Sequence, residues 1–381
     1  MWTFGGVSIN RAISYQRNAP GAAPIWISIP GTWGGGPNLN VNPAEFIFAS
    51  MKTAARGHAP GWRGMAAGGF AGCSAMSYLI RNPAAGGLAS LTLHGDINDA
   101  KDFYNKAIKG VVGASLAFLE MTDQGYPWFG HWEDAFGPTG LHEPDFIFLS
   151  NARMALVEAK ATESINPQRE RKIKSDWTRQ VQPCLGLVGG EGWILTTCLS
   201  QTAGTTIERA FRPPPLAAAG AGAGVLPPGA QPAVIAGAVI PQTQFHTSVW
   251  AIAQGLLDWL DLPWAINRDL VQQMPAQIAA LAAAQFGSSM VIFGKPIAGL
   301  ILGGASFRAT PFCKLETLMN VFQILANPNA RQMPNADGNP IMDLLGEASV
   351  LWWPDGTGIR FDQDSSQGGV SFHEMLRGAN S

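Results

Sequence analysis

The chain has 381 residues, of which 46% are hydrophobic and only 14% charged, and its formal net charge is −2. That length holds one large domain or, the better expectation, two ordinary ones, and the sparse charge argues for large buried or partner-covered surfaces. Near-neutrality excludes a protein that grips nucleic acid through bulk positive charge, so any anion-binding site must be local.

Residues 1–63 are rich in Gly, Pro and Asn and predict an irregular N-terminal segment with one β-like run over 24–29. Small residues with Met76, Leu79 and Ile80 suggest a buried helix over 64–81, and a short strand follows over 88–93. Phe103, Ala107, Val111 and Leu119 recur at helical intervals behind the candidate caps Asp96 and Asn98, which predicts a helix over 98–120. An aromatic, turn-rich stretch over 123–141 leads into two strands, 145–149 and 154–161, joined by Ser150-Asn151-Ala152-Arg153 as a hairpin turn. Asn166-Pro167 starts a second helix with Ile173, Trp177 and Val181 as its core stripe, ending near Pro183, and 192–199 is a further strand. The order helix, hairpin, helix, strand belongs to a mixed α/β layer architecture within 64–212.

Residues 213–240 hold Pro213-Pro214-Pro215, an Ala/Gly run and Pro227-Pro228-Gly229, and no Asp, Glu, Lys or Arg occurs from 213 through 257; this predicts a linker. The C-terminal α+β region, 241–381, is expected to contain helices over 243–260, 275–286 and 313–325. Strands are expected over 290–293 and 299–302, and a hairpin over 349–353 and 358–361. Its low charge suits packing on the core, a protein partner or a homo-oligomer interface.

Several chemistries are poor fits. The four cysteines show no metal-ligand or disulfide-framework spacing, and the six histidines form no helical ligand pair. Neither a GxSxG elbow nor a GxxxxGK[ST] loop is present. The N-terminus has no apolar stretch behind a basic start, and the apolar runs near 216–226 and 233–240 are too short to span a membrane. A cytoplasmic protein without membrane partners is the expectation, with export by a signal-independent route left open.

One stretch carries chemistry. Glu158 and Lys160 are two apart on a predicted strand and so project from one face, and Asp145 opens the partner strand. The twelve intervening residues, 146 to 157, allow two short strands and a turn, so the three groups can converge. An unpaired buried charge is expensive, and two converging carboxylates are hard oxygen ligands suited to Mg²⁺ or Mn²⁺, which would offset that cost. Acid, acid and lysine suit phosphodiester hydrolysis, with Lys160 positioning water or stabilising developing charge.

Pro144-Asp145 with Glu158-Ala159-Lys160 resembles the motif of the PD-(D/E)xK nucleases, the restriction-endonuclease-like superfamily, and the order of elements over 98–200 is similar. The resemblance implies that Asp145 and Glu158 bind the divalent metal, that Lys160 assists attack, and that the substrate is DNA more readily than RNA. It further implies a defence nuclease or antagonistic toxin rather than a repair enzyme. A further acid from the first helix corresponds to Glu120, with Glu133 and Asp134 as rivals, and Gln180 matches a polar residue found on the second helix of some relatives. Glu170-Arg171-Lys172, Asp99-Ala100-Lys101 and Pro354-Asp355 each match half of the pattern but lack the other half.

Around the second helix, excluding Glu158 and Lys160, six basic residues between 153 and 179 face three acidic ones. Arg169, Arg171, Lys172, Lys174 and Arg179 could therefore hold a phosphate backbone, although a solvated helix face gives the same pattern. Trp128, Phe129, Trp132 and Phe136 could stack on bases or form a hydrophobic lid. The alternative function is a non-catalytic binding or assembly protein in which the three residues make a structural ion pair.

Overall fold

The computed structural model describes residues 2, 5–17, 26–28, 36, 38–55, 61–84, 87–99, 101–136, 142–151, 153–164, 167–188, 190–212, 242–262, 273, 275–277, 280, 290–336, 338–345 and 348–364. The expected linker at 213–240 and most of the expected helix at 275–286 lie outside the described residues.

The N-terminal segment, in its described residues, is regular rather than irregular. It supplies β1 (Val7–Arg17), β2 (Trp26–Ser28), β3 (Asn38–Val41) and α1 (Pro43–Ala54). Helix α1 starts on a capping box: Asn42 accepts from the Glu45 N–H and its own N–H donates to the Glu45 carboxylate, both at 2.9 Å, with Pro43 in the first turn. Strand β1 alternates inward Val7, Ile9 and Arg11 with more exposed residues, and the inward arginine disguises the pattern in the sequence. The strand is central to the sheet, running parallel to both β5 (Gly87–Leu93) and β10 (Thr206–Arg212).

Expected elements of the middle of the chain are present with shifted ends, namely α2 (Gly61–Ser77), α3 (Asp102–Asp123), β7 (Phe146–Leu149), β8 (Met154–Thr162) and β9 (Glu191–Cys198). Residues 79–81, expected at the end of the first helix, instead open the strand β4 (Leu79–Ala84), where Leu79 pairs with Leu93 of β5. Neither Asp96 nor Asn98 caps α3, whose N-cap is Lys101 without a side-chain bond. The turn-rich stretch hides β6 (Trp128–His131), all four residues buried, and a short α4 (Trp132–Phe136). Together these strands form a ten-stranded mixed sheet whose main path is β4-β5-β1-β10-β9-β8-β7-β6.

The second helix does not stop near Pro183. It runs as α5 (Pro167–Asp176), a π-helical turn (Trp177–Val181) and α6 (Gln182–Val188). The Gln182 N–H bonds back to the Trp177 carbonyl, five residues away. This wider turn shifts the ladder just where Pro183 has no N–H to give, so the helix continues through a residue that normally breaks it.

Two glycines fix which helix covers which face of the sheet. A Cβ on Gly113 of α3 would lie 3.0 Å from the Ala161 Cβ, and one on Gly192 of β9 would lie 2.7 Å or less from Trp177, Val181 and Leu185. Helix α3 therefore packs on the face of Ala161, and the α5–α6 run packs on the opposite face, that of Gly192. This close approach is why both positions carry no side chain.

The C-terminal region forms a second sheet of six strands, in the order β11-β13-β16-β15-β14 with β12 paired to β13. These are β11 (Val291–Phe293), β12 (Ile297–Leu302), β13 (Ala305–Lys314), β14 (Ile341–Leu345), β15 (Ala348–Trp352) and β16 (Thr357–Gln363). Helix α7 (Gln242–Trp259) and helix α8 (Leu315–Ala326) accompany them. The expected helix over 313–325 begins two residues later, because Cys313 and Lys314 finish the long strand β13.

One hydrophobic core runs through both sheets. Phe48 of α1 stacks on Trp353 with centroids 4.6 Å apart and meets Trp259 edge-on at 5.1 Å. The buried Lys52 ammonium lies 3.8 Å from Asp355 and 4.6 Å from the Trp259 ring, tying α1 to the β15–β16 turn. Among the described residues no helix is long and apolar enough to cross a membrane.

Candidate active site

The β7–β8 hairpin pairs Phe146 with Val157, and one further step of that antiparallel register sets Asp145 opposite Glu158. The Asp145 side chain turns onto the partner strand, where one carboxylate oxygen accepts the Ala159 N–H at 2.8 Å. Asp145 is exposed at the lip, whereas Glu158 is 2% exposed on the face covered by α5–α6. Lys160 follows two residues later on that face, 26% exposed, and its ammonium forms an ion pair with Oε1 of Glu158. The three residues singled out in the sequence thus meet at the end of one hairpin.

Their electrostatics are unbalanced. Burial, reinforced by the neighbouring Asp145 carboxylate, pushes the Glu158 carboxyl up to about 8 against the opposing pull of Lys160. Its Oε2 is buried and has no hydrogen-bond donor among the described residues. Partial burial weakens the hold of Lys160 on its proton, but Glu158, followed by Asp145 and Asp176, outweighs it and raises that affinity. The result is two acids crowded together, one oxygen undersatisfied, and a cation at the opening.

The π-helical turn lies against β8 and β9 and carries Gln180, whose Oε1 is buried without a partner among the described residues. Such turns recur at functional sites because the extra residue re-aims a side chain. A neighbour that the sequence did not single out is Thr196, which pairs with Lys160 in the parallel β8–β9 register. Strand β9 was legible, but no local signal reveals its register against a strand across a helical crossover.

No protein-family model, curated protein or solved structure matches this chain.

The structure does not bring Glu120 to the pair. It lies on α3, across the sheet, fully buried and bonded to Arg11 Nε at 2.9 and 3.2 Å and to Gln124 at 2.8 Å, with burial pushing its carboxyl up to about 7 against the pull of Arg11. Its rivals Glu133 and Asp134 sit on α4, directly after Trp132, whose N–H donates to the Asp145 carbonyl at 3.3 Å. Among the described residues no group of three or more His, Cys, Asp or Glu side chains could enclose a metal ion. The Asp145–Glu158 pair, with its orphaned buried oxygen, still fits Mg²⁺ or Mn²⁺, since Mg²⁺ commonly takes one or two carboxylates and keeps several waters.

The basic helix is partly self-neutralised. Lys172 is exposed but bonded to Asp176 one turn on, at 3.0 and 3.2 Å. Arg171 and Arg179 are exposed and Lys174 half-buried; Arg169 lies on α5, and its side chain is outside the described set. Trp128, Phe129 and Trp132 are buried, with Phe136 stacked on Trp132 at 4.2 Å. They are core residues rather than an exposed stacking platform.

Proposed function

We propose that this protein is a metal-dependent nuclease of the restriction-endonuclease-like type that hydrolyses phosphodiester bonds, with DNA as the substrate its motif implies. The observation carrying this reading is the buried Glu158, crowded by Asp145, paired with Lys160 and left, among the described residues, with one oxygen without a donor. Support also comes from chain order: α3, the β6–β7–β8 meander, the α5–α6 run and β9 parallel to β8 follow the sequence of elements that the motif calls for.

In this reading Asp145 and Glu158 hold Mg²⁺ or Mn²⁺, which supplies Lewis acidity and a water of lowered pKa. Asp145 is oriented for that task by the Ala159 N–H. Lys160 reaches solvent at the mouth of the site and acts as a compact point charge beside the phosphate oxygens as negative charge builds. Arg171, Arg179 and Lys174 hold the flanking phosphates, and Gln180 of the π-helical turn supplies a further polar group.

Supercoiled plasmid incubated with the protein in Mg²⁺, Mn²⁺ or EDTA tests this directly. Cutting that needs metal and disappears in both Glu158→Ala and Lys160→Ala is the expected result. A second reading, a non-catalytic binding or assembly protein, draws on the Glu158–Lys160 ion pair itself, which in a structural role would simply hold the hairpin end. It predicts no cutting by folded wild-type protein, and metal-independent nucleic-acid or protein binding unchanged by Lys160→Ala.

A further inference from the structure

Glu158 and Lys160 present a conflict that the rest of the site must resolve. The ammonium occupies Oε1 of the same carboxylate that the proposed function assigns to a divalent cation. Two cations on one carboxylate repel each other, the more so because Glu158 itself is buried and little water screens its end of the pair. Lys160 therefore needs a second acceptor, close by and on the same face of the sheet.

Thr196 meets each requirement. It is the register partner of Lys160 on β9, and neighbouring strands lie only about 4.8 Å apart, with register partners on one face. It is 1% exposed, and its hydroxyl oxygen is buried with no hydrogen-bond partner among the described residues. A buried hydroxyl without a partner is unfavourable unless some state of the protein uses it. On its far side, the buried Glu208 of β10 is the register partner of Thr196, so a cation moving toward Thr196 moves toward a second acidic side chain.

We propose that Thr196 is the alternate acceptor of the Lys160 ammonium: Lys160 bonds Glu158 in the metal-free protein and swings to the Thr196 hydroxyl when Asp145 and Glu158 take a divalent cation. This rests on the nuclease reading and extends it by one positioning residue, which acts through Lys160 and touches neither metal nor phosphate. It explains why the buried Thr196 hydroxyl of β9 has no bond among the described residues in the metal-free arrangement.

The test is calorimetric titration of Mn²⁺ into the full chain without nucleic acid, for wild type, Glu158→Gln, Thr196→Val, Thr196→Ala and Thr196→Ser. Melting temperatures verify that each is folded, and plasmid cutting is measured alongside. Expected is a wild-type Mn²⁺ site that Glu158→Gln abolishes and that Thr196→Val and Thr196→Ala weaken by roughly tenfold to a hundredfold, the scale for lost support around a metal ligand. Thr196→Ser should restore near-wild-type affinity, because it keeps the acceptor. Wild-type affinity in the hydroxyl-free variants, with cutting intact, overturns the role of Thr196 alone. Absence of any Mn²⁺ site sensitive to Glu158 overturns the nuclease reading and this inference with it.

Discussion

The ten-stranded sheet carries a buried acid–cation pair on each face, and the two are built differently. On the α3 face, Glu120 accepts from Arg11 and Gln124, while Arg11 also donates to the Gly36 and Asn38 carbonyls at 3.0 Å and to Asp123. Neither the Glu120 nor the Arg11 side chain reaches solvent. On the α5–α6 face, Glu158 has, among the described residues, one cation, a crowding Asp145 and an oxygen with no donor, and its lysine opens to water. The closed network satisfies its charges internally and behaves as structure; the open one has unmet bonding capacity at an accessible place, which is what a ligand site requires.

Breaking the closed network should have the largest effect. Arg11→Ala leaves Glu120 buried without its cation and should destabilise the fold by about 3–5 kcal/mol, read by urea denaturation. Glu120→Gln, which keeps the shape and part of the bonding, should leave metal-dependent cutting of plasmid within a few-fold of wild type; a loss matching that of Glu158→Gln would bring Glu120 into the site after all.

The open network should respond the other way round. Glu158→Gln should reduce cutting by roughly 10²–10³-fold, the scale for removing one charge-stabilising group from an active centre, while leaving stability equal or improved.

Acidity sharpens the contrast. The folded-state Glu158 carboxyl stands near 8 against an ordinary 4.5, so between those values the folded protein binds the proton that the unfolded chain releases. Its contribution to stability is therefore fully present below 4.5 and is lost as pH rises through about 8. Metal-free wild type should lose stability from pH 5 to pH 8 relative to Glu158→Gln; parallel profiles for the two would show that Glu158 is not held protonated.

The smallest effects belong to the exposed helix. Lys172→Ala removes a surface pair with Asp176 and should change stability by less than about 0.5 kcal/mol. Arg179→Ala should weaken DNA binding modestly at any sequence and lower the salt slope of binding by about one.

How legible these features were depended on the distance between partners. The β7–β8 hairpin could be read because Asp145, Glu158 and Lys160 lie within one local unit, where alternation and a short turn dictate who meets whom. Strand β1 was missed because Arg11 occupies an inward position that local patterning reads as polar, and the group that makes it tolerable, Glu120, lies 109 residues away. Strand β10 hides Glu208 and Arg209 in the same way, both buried. Capping of α1 by Asn42-Pro43-Ala44-Glu45 was present in the sequence, and the surrounding Gly, Pro and Asn obscured it.

By itself, then, the sequence determined the mixed α/β character, the main helices of the middle of the chain and the chemistry available at one hairpin, all of which follow from spacing and side-chain type over short range. Only the tertiary structure decided that residues 7–17 thread the centre of the sheet, that Glu120 faces Arg11 rather than Glu158, and that Thr196 lies beside Lys160. Strand register and the pairing of buried charges are set by contacts between distant segments, where the favourable energy of burial is shared and no single stretch of chain encodes the outcome.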